Sequence, residues 1–183
     1  MSQSFRSRNM NPMIGRAAIA ASLVLAAAVS AHAAEPKFLG QHKDWNAFVY
    51  EEGGHKVCYV SSQPKKAEAG GKARGDVHVL ITHRPHEKAL DVVSIMAGYT
   101  YKAGTEAQVT IGKDSFKLFT DGDTAWARDD KSDKALVAAM KAGASMVVKG
   151  TSSKGTNTTD TYSLAGIGLA YAAIGEACGV KTK

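Results

Sequence analysis

From residue 45 to residue 128 the chain is written in short apolar runs, each closed by a turn within about a dozen residues. That rhythm constrains the fold more than any other feature. In "DVHVLITH", residues 76–83, Val77, Val79 and Ile81 alternate with His78, Leu80 and Thr82. Residues 45–52 and 55–62 flank Gly53-Gly54, a two-residue hairpin signature. Residues 91–97 read as another strand, and further strand signals start at Tyr99, Ala107 and Asp114. Asp121-Gly122-Asp123 is a turn, and residues 124–128 form a short strand with Trp126 facing inward. Residues 63–75 are rich in Lys, Ala and Gly and have no apolar period, so they read as a surface loop. The expected fold is mainly β, an antiparallel sandwich or barrel-like domain.

Near the C-terminus the period changes. Ser132 is a suitable N-cap, with Asp133 beside the positive helix end. Leu136, Val137 and Met140 line one face of a short helix that Gly143 stops. Two polar-alternating strands, "SMVVKGTS" and "NTTDTYSL", flank Ser153-Lys154-Gly155. Residues 164–177 are Ala-rich, with Ile167, Leu169, Tyr171, Ile174 and Cys178 at mostly helical spacing. Ser163 is placed to cap this helix, and Gly166 and Gly168 to let it lie close to the sheet.

The first 33 residues have the form of a secretory leader. Arg6, Arg8 and Arg16 precede an uncharged stretch over residues 17–31, and Ala31-His32-Ala33 supplies a cleavage signature between Ala33 and Ala34. The stretch is shorter than the roughly 20 residues of a membrane-spanning helix. The expected organisation is a leader over 1–33 and one domain over 34–183, periplasmic or secreted from a Gram-negative cell. Three of the 23 Lys and Arg residues fall in the leader and none of the 17 Asp and Glu residues does, which leaves a formal charge of +3. No basic run exceeds Lys65-Lys66, so nucleic acid is not an expected partner. Cys58 and Cys178, the two cysteines, are expected to pair as a disulfide in an oxidising compartment.

Three segments carry a resemblance: "WNAFVYEEGGHKVCYVSSQ" at 45–63, "AGYTYKAGTEAQVTIGKDSFKLFTDGDTAWA" at 97–127 and "KGTNTTDTYSLAGIGLAY" at 154–171. Together they resemble the invasion-associated locus B family, small exported proteins of α-proteobacteria. The shared motifs are a Trp then a Cys in the first hairpin, a Gly-x5-Gly run before "VTIG", and "YSLxG" before the last helix. The better-known branch has extra cysteines near the first Trp and in mid-chain; here those positions have none. The resemblance implies a β-dominated periplasmic or surface domain and a link to host-cell invasion in the pathogens that gave the name. It supplies no catalytic residues.

Several constellations carry chemistry on paper. His83-x-x-His86-Glu87, with His78, has metal-ligand residue types. Zinc needs three or four fixed ligands, His78 lies on the opposite strand face, and Pro85 marks an exposed turn, so these histidines are expected in an exposed turn. Asp121, Asp123, Asp129, Asp130 and Asp133 surround Trp126, but the alternation of a calcium loop breaks after Asp123. Ser163, His78 and Asp160 could form a hydrolase set, yet Ser163 has no nucleophile elbow. Gly166-x-Gly168 lacks the third glycine of a dinucleotide loop. Trp45 and Trp126 read as core anchors.

The expected function is that of an exported, non-enzymatic protein without a cofactor that binds a macromolecular partner, a protein or the cell envelope, or supports the envelope and its interaction with a host. The alternative is a small-ligand or metal-binding protein using residues 78–87 or 121–133. A hydrolase of envelope polymers is the weaker alternative.

Overall fold

The structure, a computed structural model, describes residues 35–181. The expected leader and its cleavage point at Ala33 and Ala34 lie outside the described residues. The strands are β1 (Lys37–His42), β2 (Trp45–Glu52), β3 (His55–Ser62), β4 (Lys66–Glu68), β5 (His78–Arg84), β6 (Ala89–Met96), β7 (Glu106–Ile111), β8 (Asp114–Asp121), β9 (Thr124–Trp126), β10 (Ser145–Thr151) and β11 (Asn157–Ser163). Among the described residues two α-helices accompany them, α1 (Asp130–Ala142) and α2 (Ile167–Cys178), with a 3-10 turn at Pro85–Glu87.

All eleven strands join one antiparallel sheet, in the order β1-β2-β3-β5-β6-β9-β8-β7-β10-β11-β4. Laid flat, β2 and β11 would stand about 38 Å apart, eight strand spacings of ~4.8 Å. Yet Trp45 Nε1 of β2 donates to the Ser163 carbonyl of β11 at 3.1 Å. The Asp44 N–H also donates to the Ala165 carbonyl at 3.3 Å. The sheet therefore curls until its ends meet around one core. That core runs from Trp45 and Ala47 through Ile81, Ile95 and Leu118 to Met146 and Tyr162.

Local chemistry explains the elements. Gly53 and Gly54 both take positive φ, as a tight two-residue hairpin requires, and pair Glu52 with His55. The bounds of β2 and β3 match the sequence reading. In α1, Leu136, Val137 and Met140 are buried as the period predicts. The N-cap is Asp129 rather than Ser132: its side chain accepts from the Ser132 N–H. Asp133 is no surface dipole partner either, since it is buried and its Oδ1 accepts the Val93 N–H at 2.9 Å. Gly143 ends the helix in extended geometry; a Cβ there would stand 2.5 Å from Ile111 Cγ2.

Four further expectations are corrected. The segment from Tyr99 is not a strand: Tyr101 makes one isolated bridge to Ser152, and backbone bonds to Gly122 and Thr151 fix the rest. Residues 63–75 contain β4, which pairs with β11 after the Lys65 N–H donates to the Thr161 carbonyl. Trp126 is half-buried on the outer side of the sheet, against Phe119. In α2, Leu169 is 64% exposed, Gly168 has nothing near it, and the helix starts after Gly166, with Ser163 accepting the Ala165 N–H instead of capping it.

Candidate functional site

Cys58 and Cys178 form the disulfide, with Cα atoms 6.0 Å apart and 120 residues of separation. The bridge ties the end of α2 to the inner face of β3. Beside it, His83 is fully buried rather than exposed. The reason is local. β6 carries an irregularity between the Thr82 and Arg84 pairings, and Asp91 sits there at φ 63°. Its N–H, released from the ladder, is accepted by His83 Nδ1 at 3.1 Å. The Tyr171 hydroxyl of α2 donates to the Asp91 carboxylate. His83 is thus a structural acceptor, and burial holds its imidazolium pKa below the usual histidine value, with the Asp91 charge opposing.

A pH dependence follows. His83 takes up its proton more readily unfolded than folded. Stability is therefore complete above about pH 6.5 and is lost as pH falls through that value toward the lower folded pKa, by at most about 1.4 kcal/mol per unit. Thermal melts between about pH 7.5 and 5.5 should show this fall, and His83→Gln should flatten it. An unchanged slope in the variant would remove His83 as the cause.

The other sequence candidates do not assemble. His86 stacks on His55 with centroids 3.5 Å apart, and His78 lies near Ser61 and Gln63. Among the described residues no three His, Cys, Asp or Glu side chains are grouped to hold a metal ion. Ser163, His78 and Asp160 do not converge: Asp160 is buried and bound by Arg74, and Ser163 serves the local turn. Trp45 is a core anchor, fully buried.

Two surface features were not read from the sequence. The first is a row of aromatic rings on the outer face of β1–β3. Phe38 packs on Phe48 at 5.5 Å, Phe48 stacks on Tyr59 at 5.0 Å, and Tyr50 meets Tyr59 edge-on at 6.1 Å. Strand alternation puts them opposite Cys58 and α2. Phe38 is 54% exposed. The row ends in a polar rim, where Arg84 bonds the Tyr50 hydroxyl at 3.0 Å and pairs with Glu52 and Glu87.

The second is a cleft of about 400 Å³ between the segment 69–74 and the β10–β11 turn. Arg74 lines it and is held from behind by the buried Asp160 through two hydrogen bonds, one of them 3.0 Å. Tyr99 stands in its wall, bonded to Thr158 Oγ1 at 2.6 Å and crossed by Tyr101 at 5.1 Å. Gly150 makes room for both rings: a Cβ there would come within 2.6 Å of the Tyr99 hydroxyl and 2.7 Å of Tyr101.

These features define a class: a curled antiparallel β domain, closed by one disulfide, that carries an aromatic outer face and one cation-lined cleft. The family model described as invasion associated locus B (IalB) protein matches residues 45–175, and the chain belongs to that family. A crystal structure of invasion associated protein B from Bartonella henselae is similar in fold, with a TM-score of 0.50 and 16% identity, covering 74% of this chain and 92% of that one. No curated protein sequence matches the chain. The family motifs now have physical reasons. The Trp of the first hairpin and the "YSLxG" exit are the two sides of the sheet closure, Trp45 to Ser163. The first glycine of the Gly-x5-Gly run, Gly98, accepts the Gly75 N–H at 2.8 Å in an approach that a Cβ would block at 2.4 Å.

Proposed function

We propose that this is an exported, non-catalytic protein of the invasion-associated locus B type that binds a protein partner through the aromatic face of β1–β3. The carrying observation is the ring row Phe38–Phe48–Tyr59–Tyr50, set on the sheet face opposite the one that α2 packs against. Aromatic side chains bury large areas at low entropic cost and dominate the centres of interfaces, while rims are polar. The row with its Arg84–Glu52 rim has that layout. The disulfide under β3 stiffens the platform, which reduces the ordering cost of binding. Export is supported by the leader-like first 33 residues and by a disulfide of the kind that persists in oxidising compartments. Among the described residues no helix is long and apolar enough to cross a membrane.

The test is photocrosslinking in intact cells. A photoreactive residue at position 38 should give an adduct of discrete mass, and one at the exposed Lys113 turn should not. Equal labelling from both positions, or none from position 38, overturns the proposal.

A further inference from the structure

We propose that the cleft between segment 69–74 and the β10–β11 turn binds an acidic saccharide, a sugar carrying a carboxylate. The site is built on strands other than those of the aromatic face and does not depend on that face having a partner. Its volume, about 400 Å³, lies in the range of small-ligand pockets, roughly 300–1,000 Å³.

The charge of the lining is one-sided. Lys72, Arg74 and Lys154 line the cleft, and no Asp or Glu does. Arg74 is neutralised by Asp160 beneath it. Lys72 and Lys154 are exposed, and among the described residues neither has a carboxylate at ion-pair distance. Two exposed lysines without an ion-pair partner among the described residues therefore line the opening, one from each wall. A single anionic group seated between them gains charge-assisted hydrogen bonds from both sides.

The rest of the lining suits hydroxyls. Ser153 and Thr156 stand at the turn, and the Ser152 hydroxyl, which accepts the Thr156 N–H at 3.1 Å, still has a proton to donate. Tyr99 adds an aromatic wall whose position is fixed by Thr158, Tyr101 and Arg74. Hydroxyl partners, one ring and two lysines are what a polyhydroxylated ligand with one carboxylate requires.

The walls are also held in place. Arg74 ties segment 69–74 to β11 through Asp160 and to the Ala97 carbonyl at 3.4 Å. The Gly75 N–H fixes its end to the Gly98 carbonyl, and β4 fixes its start by pairing with β11. The pocket is thus formed before a ligand arrives, which lowers the cost of binding.

Calorimetric titration of the protein, purified from cells expressing the full chain, tests this with three probes. They are a galactose trisaccharide in which one unit is galacturonate, the fully neutral galactose trisaccharide and inorganic phosphate. The acidic trisaccharide should bind at least about tenfold more tightly than the neutral one, and more weakly as salt rises. Lys72→Met with Lys154→Met should weaken it about tenfold or more; both side chains are exposed, so the melting point should stay in place. No binding of the acidic trisaccharide up to about 10 mM overturns the site, as does equal binding by the double variant. Phosphate binding as tight as the trisaccharide overturns the saccharide assignment, because the two lysines alone would then account for the affinity.

Discussion

Gly166→Ala is expected to cost more than about 4 kcal/mol and to drive the protein into the insoluble fraction. The residue sits at φ +93°, and a Cβ on it would stand 1.9 Å from the His42 carbonyl oxygen and 2.7 Å from its carbon. Those atoms are backbone and cannot swing aside. They are held by the closure itself, where Asp44 bonds Ala165 and the Trp45 ring bonds Ser163. The positive φ alone costs an alanine about 1–3 kcal/mol. Relieving the clash then means parting the β1–β2 turn from the start of α2, which opens the closure beside Trp45. A domain has only about 5–15 kcal/mol in hand. Gly168→Ala is the control. It lies two residues on, is exposed within α2 and has nothing within 4 Å of the added carbon. Helix propensity makes that change stabilising by up to about 1 kcal/mol. Urea denaturation of both variants separates backbone collision from a general intolerance of side chains. A Gly166→Ala protein that unfolds with the wild type would contradict the closure described above.

Loss of the disulfide has the second large effect. Cys58 and Cys178 close a loop of 120 residues, nearly the whole described domain. Loop-closure entropy assigns such a bridge about 4–5 kcal/mol, and removals in small exported domains cost about 2–5. At about 2–4 °C per kcal/mol for a domain of this size, Cys58→Ala with Cys178→Ala should lower the melting temperature by roughly 10 °C. Reductant should do the same to the wild type and nothing to the variant. Calorimetry with and without reductant checks both statements, and a melting temperature indifferent to both would show that α2 stays docked without its bridge.

The elements legible in the sequence are those whose information is local. Gly53-Gly54 fixes the β2–β3 turn, and a two-residue turn sets Phe48 opposite Tyr59, so half of the aromatic row follows from register alone. The buried position of His83 was legible too. It continues the series Val77, Val79, Ile81, all on the inner face, and the Pro85 turn obscured it. Trp126 was misplaced because a three-residue strand has too little period to choose a face; pairing with Ser94 and Phe119 chose it instead. The Tyr99–Lys102 stretch has strand composition, yet its backbone bonds go to Gly122 and Thr151, distant carbonyls that no local pattern specifies. β4 is polar and short, and exists because β11 offers it an edge. The cleft is the least legible part. Arg74 and Asp160 are 86 residues apart, and the pairing of β4 with β11 is what brings their segments together.

The aromatic face is most directly tested by comparing wild type with Phe38→Ser, Phe48→Thr for retention by isolated cell envelopes, alongside their melting temperatures. The variant loses two ring pairs worth about 0.5–1.5 kcal/mol each, so its melting temperature should fall by about 2–12 °C while it stays folded at the assay temperature. The expected result is retention of the wild type and release of the folded variant. A folded variant retained as firmly as the wild type would contradict the assignment of β1–β3 as the binding face.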